Sequence, residues 1–420
     1  MNIVVLTGGS RGDTQPYAAL AIGFRRAGHR VRFAAIPEFA PMVAGSGVEV
    51  IINDIDVKSM LQSDQGSGML SAGRNQFRFL LNFAKLARPL LEQGLDRLVE
   101  VCRDCDGLVL GSTQILMGTR GNERLGVPFL AAYPMPGTAT RRVPSILAPE
   151  LPGWWPGRGL YNRFTHWFFD WLRDQLLGNL HAKVFSRLPA PAWTQSGPMP
   201  ILYGYSPEVA PRPSDWPEHA QVTGYWFLDT PDYQPPPGLA HFLAAGPAPV
   251  FVGFGSMSDR DPEGATELVC RALEQAGCRG VLVTAWGGLH ARGLPAHVLA
   301  LKSVPYDWLF PRVSAVVHHC GAGTTGCGLR AGAPTVGVPH FGDQYFWARR
   351  VHALGAGPAP VPRRKLTAGR LARAIRAAVE TPSIREKSAE LGARIRRETG
   401  IDRAVELAVR HFEGCRAGRR

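Results

Sequence analysis

Residues His318 to Thr325 read HHCGAGTT, and the apolar run Val313-Ser314-Ala315-Val316-Val317 stands directly before them. An apolar strand, a turn carrying Gly321 and Gly323, and a segment able to start a helix together make an anion site. The glycines let backbone N–H groups approach a phosphate, and the open helix end adds partial positive charge. His319 adds a ring donor, and Thr324 and Thr325 add hydroxyls. A second apolar run, Pro334 to Pro339, leads to Gly342-Asp343-Gln344. An anion cradle followed by an acid and an amide at the next strand end suits a sugar attached to a diphosphate.

The same alternation of apolar run, turn and helical spacing extends through both halves of the chain. In the first half, strands are expected at Ile3–Leu6, Arg30–Ala35, Val48–Ile52, Leu108–Leu110 and Phe129–Ala132. A turn over Thr7–Gly12 and a helix from Pro16 to Ala27, closed by Gly28, follow the first strand. A second helix runs to about Ala44. In the second half, strands are expected at Val250–Phe254, Gly280–Thr284, Val313–Val317 and Pro334–Val338. Strands alternating with helices predict an α/β fold with parallel, doubly wound sheets. The proline-rich stretch Pro231–Pro237 reads as a linker. From Thr367 onward the arginine-rich tail has helical spacing and is expected to end as a long amphipathic helix.

The chain has 420 residues, room for two large domains, and carries 47 Lys/Arg against 34 Asp/Glu. Residues 357–420 hold 16 basic against 7 acidic side chains, an excess of 9. That excess reads first as a solvated helix face and second as an attraction to anionic lipid. Nucleic-acid binding would rest on charge alone and is not expected. Seven cysteines, an odd number, fit reduced thiols and a cytoplasmic protein. Cys102 and Cys105 form a lone CxxC without the further ligands a zinc site needs. The N-terminus reads as a first strand and not as a signal peptide, and no apolar run is long enough to span a bilayer.

GGSRGDTQP, Gly8 to Pro16, places Asp13 at the top of the first strand, where ligands of open α/β sheets bind. A lone carboxylate there is poised as a general base, with Arg11 and the helix start favouring its ionised form. Asp13 or Thr14 capping the helix that Pro16 opens is an equal reading. The glycines do not meet GxGxxG spacing, which excludes an NAD-dependent oxidoreductase. Asp54-Ile55-Asp56 has the form of a metal pair under a diphosphate, but nothing else in the chain supports a metal. Gly253-Phe254-Gly255-Ser256, directly after a strand of the half that holds HHCGAGTT, is a further candidate phosphate contact. Leu160 to Leu188, with Tyr161, Phe164, Trp167, Phe168, Phe169 and Trp171, reads as a helix buried against the first domain. The competing reading is an apolar wall or lid for a greasy acceptor, beside the adjacent Trp154 and Trp155.

The sequence resembles the UDP-glycosyltransferase superfamily, in particular the branch of sterol glucosyltransferases and antibiotic-aglycone glycosyltransferases. The resemblance is carried by GGSRGDTQP, RRAGHRVRFA (Arg25 to Ala34), VGFGSM (Val252 to Met257) and VPYDWLFP (Val304 to Pro311). Its longest stretch is SAVVHHCGAGTTGCGLRAGAPTVGVPHFGDQ, Ser314 to Gln344. It implies a GT-B fold of two Rossmann-like domains facing across a cleft. Residues 1–228 would bind acceptor, 229–247 would link, 248–395 would bind the nucleotide sugar, and 396–420 would cross back as a helix.

It further implies metal-independent, inverting transfer of a hexose from a UDP- or dTDP-sugar. The acceptor would be a hydrophobic alcohol such as a sterol, triterpenoid, macrolide or other aglycone. Asp13 would be the base and His319 would stabilise the departing diphosphate. Ser10, Arg11, Gly12, Ser256, Val304, Pro305, Gly321, Ala322, Gly323, Thr324, Asp343 and Gln344 would complete the donor site. Trp154, Trp155, Phe164, Phe168 and Phe341 would line the acceptor site. No cofactor or metal is implied beyond the nucleotide sugar itself. Plant relatives carry a tryptophan near Ser303 and a ribose-binding glutamate at Cys327, so this chain does not declare UDP or dTDP. Sterol-type relatives usually carry glycine where this chain has Cys320. A monomer or weak homodimer, cytoplasmic and at most peripheral at the membrane, is expected. The alternatives are a GT-B epimerase or hydrolase and a non-catalytic nucleotide-sugar-binding partner.

Overall fold

The short apolar runs become strands of two parallel sheets in the computed structural model. It describes residues 1–52, 59–60, 63, 66, 68, 76–102, 104–111, 122–191, 193–255, 257, 261–284, 289–290 and 293–417. Two units result. The first comprises Met1–Pro207, Pro211–Leu228 and Thr399–Arg420, and the second Glu208–Ala210 and Asp229–Glu398.

The first unit holds β1 (Asn2–Leu6), β2 (Arg30–Ala35), β3 (Glu49–Ile52), β4 (Gly107–Leu110), β5 (Phe129–Tyr133), β6 (Ile201–Tyr203) and β7 (Ala220–Val222). Their order is β3-β2-β1-β4-β5-β6-β7, so connections run one way up to β3 and the other way from β4. Ile3, Val4 and Val5 are buried on both faces of the sheet, which explains a continuous apolar run in place of alternation. Its helices are α1 (Arg11–Arg26), α2 (Gln76–Cys102), α3 (Arg158–Arg173) and α4 (Asn179–Phe185). The Tyr17 hydroxyl on α1 donates to Ala132 O at 2.7 Å, tying the helix to β5.

The second unit holds β8 (Val250–Gly253), β9 (Gly280–Val283), β10 (Val298–Leu301), β11 (Ala315–His318) and β12 (Thr335–Gly337), in the order β10-β9-β8-β11-β12. Around them lie α5 (Pro237–Ala244), α6 (Pro262–Ala276), α7 (Tyr306–Leu309), α8 (Ala322–Ala331), α9 (Gln344–Ala353), α10 (Ala368–Glu380) and α11 (Pro382–Ile395). The last helix, α12 (Gly400–Ala417), belongs to the first unit. Phe412 of α12 is fully buried against the α-carbon of Gly107, and the half-buried Ile401 packs on that of Gly23.

Two expectations require correction. The first helix begins at Arg11, not Pro16: Ser10 is its cap, and the Asp13 N–H donates to Ser10 O at 3.0 Å. Pro16 therefore lies inside the helix, and Asp13 stands in its first turn, where its side chain accepts the Ser10 N–H in a capping box, so the expected capping role is met from the third helical position. The tail from Thr367 runs as three helices, because Pro382 cannot continue α10 and Thr381 turns extended at ψ 112°, and it ends as expected in a long helix, α12.

The second correction concerns α3. Leu172, Leu177, Val184 and Phe185 of the stretch 160–188 are buried as expected, but the outer aromatic stripe of α3 is not, and polar residues are buried in its place. Asn162, Thr165 and His166 face inward, while Leu160, Phe164, Trp167 and Trp171 are exposed. The cause is the neighbouring backbone. Asn162 Nδ2 donates to Arg141 O at 2.9 Å, and Thr165 Oγ1 accepts from the Ser145 N–H at 3.0 Å. His166 Nε2 lies 3.2 Å from Val143 O. Loop peptides buried without these partners would each lose a hydrogen bond.

Candidate active site

In each unit the strand order reverses beside a central strand, and ligands of such sheets bind at the carboxyl ends there. In the first unit Asp13 occupies that place, one turn beyond β1. Ser10 N–H and Ser10 Oγ both donate to Asp13 Oδ2, at 2.9 and 2.8 Å. Thr7 Oγ1 donates to Asp13 O at 2.6 Å. Gly9, at φ +112°, has no Cβ to crowd the carboxylate; one would stand 2.7 Å from Oδ2.

Burial raises the Asp13 carboxyl above its ordinary 3.8, and the two Ser10 bonds pull against that. The sequence suggested a carboxylate held ionised by Arg11, but the Arg11 Nε donates to Gln15 Oε1 at 3.1 Å. Arg11 and Gly12 are exposed on the first turn.

In the second unit, His318 ends β11 in register with Gly253 of β8 and Gly337 of β12. His319 follows, its ring set against two α-carbons. A Cβ on Gly255 would stand 2.8 Å from His319 Cε1, and one on Gly321 would stand 2.6 Å from His319 Nε2. Both imidazoles are buried, which pushes His318 down to about 3 and His319 well below 6.5, so both are neutral near pH 7. His319 Nδ1 and His318 Nε2 have no hydrogen-bond partner among the described residues.

Gly321 caps α8 without a side-chain bond, leaving the first N–H groups of that helix open. At Gly323 a Cβ would meet nothing, so an anion can approach the backbone there. Ala322 and Thr324 flank it, both partly exposed. The Thr325 hydroxyl, expected to serve the anion, donates instead to Gly321 O at 2.9 Å.

Sequence reasoning missed the device that shapes this turn. Cys320 has φ +66°, a backbone region where glycine is at ease and other residues cost about 1 kcal/mol. Its N–H donates to His318 Nδ1 at 2.9 Å, which offsets that strain and puts the His318 proton on Nε2. The Cys320 thiol packs on the α-carbon of Gly337, and burial pushes it up. The adjacent His-His pair was the available signal.

Asp343 and Gln344 open α9. Trp347 Nε1 donates to Asp343 Oδ2 at 3.0 Å, a contact one helical turn apart that the sequence reading overlooked. Gln344 is buried: its Oε1 accepts from the His340 and Phe341 N–H groups at 2.8 and 3.3 Å. Its Nε2 lies 3.5 Å from Met257 Sδ. As placed, Gln344 holds the loop that presents Asp343. Val304 packs its side chain into the core with Phe251 and Val281, and Pro305 starts α7. Ser256, Asp54 and Asp56 lie outside the described residues.

Of the residues expected at the acceptor, Trp154 and Trp155 form an exposed pair with ring centroids 5.9 Å apart. Phe164 and Phe168 stack on α3 at 6.0 Å. Phe341 belongs to the second unit, on the loop that Gln344 braces.

Two Rossmann-like units, one with a carboxylate and one with an open anion turn at its switch point, define a GT-B protein. Residues 3–144 match the family described as the glycosyltransferase family 28 N-terminal domain. Residues 281–399 match the family described as the erythromycin biosynthesis protein CIII-like C-terminal domain.

The chain is 35% identical to a sterol 3-beta-glucosyltransferase of Cryptococcus neoformans, over 98% of this chain and 27% of that protein. It is 32% identical to one of Arabidopsis thaliana, over 98% and 68%. The chain thus spans about a quarter of the length of the fungal relatives it matches. Among solved structures, the glycosyltransferase SnogD from Streptomyces nogalater has the same fold, with a TM-score of 0.66 at 21% identity over 98% and 99% of the two chains. So does the glycosyltransferase VinC, solved in complex with dTDP, with a TM-score of 0.66 at 19% identity over 98% and 100%. The chain belongs to the GT-B UDP-glycosyltransferase family, in the branch that holds the sterol glucosyltransferases.

Proposed function

We propose that the chain is an inverting hexosyltransferase. It moves a hexose from a UDP- or dTDP-sugar to a hydroxyl of an apolar acceptor, a sterol or related polycyclic alcohol first, and leaves a β-glycoside. The observation that carries this reading is the match to sterol 3-beta-glucosyltransferases across 98% of the chain. The Asp13 carboxylate and the open α8 turn supply what such chemistry needs.

The acceptor hydroxyl attacks the anomeric carbon as the bond to the diphosphate breaks, and its proton passes to Asp13. Oδ2 is engaged by Ser10, so Oδ1, unpartnered among the described residues, takes the proton. General-base help of this kind contributes about 10²–10⁴-fold. Charge growing on the diphosphate is met by the first N–H groups of α8 and by a neutral His319, already oriented by the glycines around it. One displacement inverts the anomeric centre. This reading needs no metal and no cofactor beyond the nucleotide sugar, and Asp343 would take hexose hydroxyls.

Among the described residues no helix is long and apolar enough to cross a membrane. The reading also includes a cytoplasmic protein, monomer or weak homodimer, in peripheral contact with the bilayer that dissolves its acceptor.

The test is a mass-spectrometric screen of UDP- and dTDP-hexoses against sterols, macrolides and flavonoids. A product heavier by one hexose is expected with a hydrophobic acceptor only when both substrates are present. Donor consumed alone, to a new sugar or free hexose, would replace this reading with an epimerase or hydrolase.

A further inference from the structure

The outward face of α3, which the resemblance offered as part of an acceptor wall, is exposed, and its construction runs against the usual amphipathic helix. Trp167 is 59% exposed and Leu160 70%, while the opposite, polar side is buried. Trp167 and Trp171 stack at 6.4 Å and 20° between planes, and Phe164 stacks on Phe168 at 24°. Trp154, 77% exposed, and Trp155 extend the apolar surface on the loop just before the helix. From Leu160 to Trp171 the stripe runs about 16 Å along the axis.

The orientation is locked. Rolling α3 to hide its rings would break the bonds of Asn162, Thr165 and His166 to the backbone of residues 141–145.

Charge selects the occupant. Residues 141–187 carry seven Lys/Arg and three Asp/Glu. Two of those acids, Asp170 and Asp174, are already paired with Arg173 at 2.9 and 3.0 Å. Arg163 is exposed on α3 itself, and Arg141 is exposed on the loop that docks along it. Neither side chain makes an ion pair among the described residues. Tryptophans beside uncompensated arginines match the headgroup layer of an anionic bilayer, where rings sit at the polar boundary and guanidinium groups meet phosphate. A second copy of the chain fits less well, because a two-fold contact would oppose the same arginines to one another. A small acceptor would find a convex helix face where it needs a concavity.

We propose that the aromatic face of α3, with Trp154 and Trp155, docks the protein on an anionic phospholipid surface. This deepens the peripheral contact in the functional reading and moves it away from the basic tail. The docking surface itself does not depend on sugar transfer.

The full chain is floated with vesicles of phosphatidylcholine and with vesicles containing phosphatidylglycerol, while transfer to a water-soluble acceptor is followed without lipid. Wild type is expected to float with the anionic vesicles and shift its tryptophan emission to the blue. Trp167→Ser/Trp171→Ser should partition at least about tenfold less, with soluble transfer unchanged. Arg163→Glu should weaken binding to the anionic vesicles alone.

A double variant that floats like wild type would overturn the assignment in favour of the tail. So would a wild-type dimer that the variant dissolves while lipid binding is absent. Failure of transfer with any acceptor, alongside intact vesicle binding, would sink the enzymatic reading and leave the docking surface in place.

Discussion

The ring of His319 rests on the α-carbon of Gly255, so closely that a methyl there would stand 2.8 Å from Cε1. Gly255 ends the β8 turn and His319 begins the β11 turn, and β8 and β11 are neighbours in the sheet. The turn proposed to hold the diphosphate is thus shaped from two strands at once, with Gly321 closing the other side of the ring.

Gly255→Ala is expected to weaken UDP or dTDP binding by roughly tenfold, about 1.4 kcal/mol. The Cβ pushes the ring off its position, and the φ of +63° is itself unfavourable for alanine. Titration calorimetry with the free nucleotide diphosphate reads the change directly. An unaltered Kd in a folded variant would show that the placement of the His319 ring contributes nothing to diphosphate binding.

Acid should loosen this same turn. In the unfolded chain His318 and His319 take up a proton near 6.5, whereas burial holds His318 neutral down to about 3 and lowers His319 well below 6.5. The unfolded state then binds more protons, so their contribution to stability is complete above about 6.5 and is lost progressively as pH falls. Each such group costs about 1.4 kcal/mol per pH unit on the acid side. The urea midpoint of the wild type should drop between pH 7 and pH 5. His318→Asn, whose amide oxygen can still accept the Cys320 N–H, should drop less; equal slopes would remove His318 as a cause.

Most of the strands that the sequence announced are sealed on both faces, the edge strand Glu49–Ile52 being the exception. Arg30 to Ala35 was legible because its apolar residues crowd a parallel sheet. Ile201–Tyr203, Ala220–Val222 and Val298–Leu301 were not, being three or four residues long and bracketed by prolines or glycines that read as loop. The start of α1 was misplaced because Pro16 is a familiar first residue of a helix, while the Ser10–Asp13 interaction that starts it is local and polar. Glycines made the His319 turn readable, but its clamp comes from Gly255, far away in the chain. For α3 the rings suggested core. Their outward placement depends on where the carbonyls of Arg141 and Val143 come to lie, a tertiary fact no local pattern holds.

Trp347→Phe separates sugar recognition from nucleotide recognition. The indole is fully buried and donates to Asp343 Oδ2, fixing the carboxylate proposed for hexose hydroxyls. Phenylalanine fills most of the space but cannot donate, so the Asp343 rotamer is released. The KM for the sugar donor should rise about tenfold, with free UDP or dTDP bound as in wild type. Asp343→Asn keeps an acceptor for the indole and changes the charge, and it should raise KM with Trp347 intact. Equal donor KM in wild type and Trp347→Phe would deny the indole any part in sugar binding.

Asp13→Asn tests the base and the energetics of holding it. Asparagine retains an oxygen for the Ser10 N–H and Oγ, so the first turn of α1 keeps its shape. Transfer should fall by about 10²–10⁴ with diphosphate binding unchanged. Because burial raises the Asp13 carboxyl above 3.8, the native chain holds that proton to higher pH than the unfolded one. Its contribution to stability is therefore greatest below 3.8 and declines as pH rises through the folded value. The amide has no charge to bury. At neutral pH the variant should accordingly be as stable as wild type or slightly more so, while the wild-type rate climbs with pH on its acid limb as the carboxylate forms. A variant that transferred sugar at the wild-type rate, or that lost stability at neutral pH, would show that Asp13 is a structural cap and not the base.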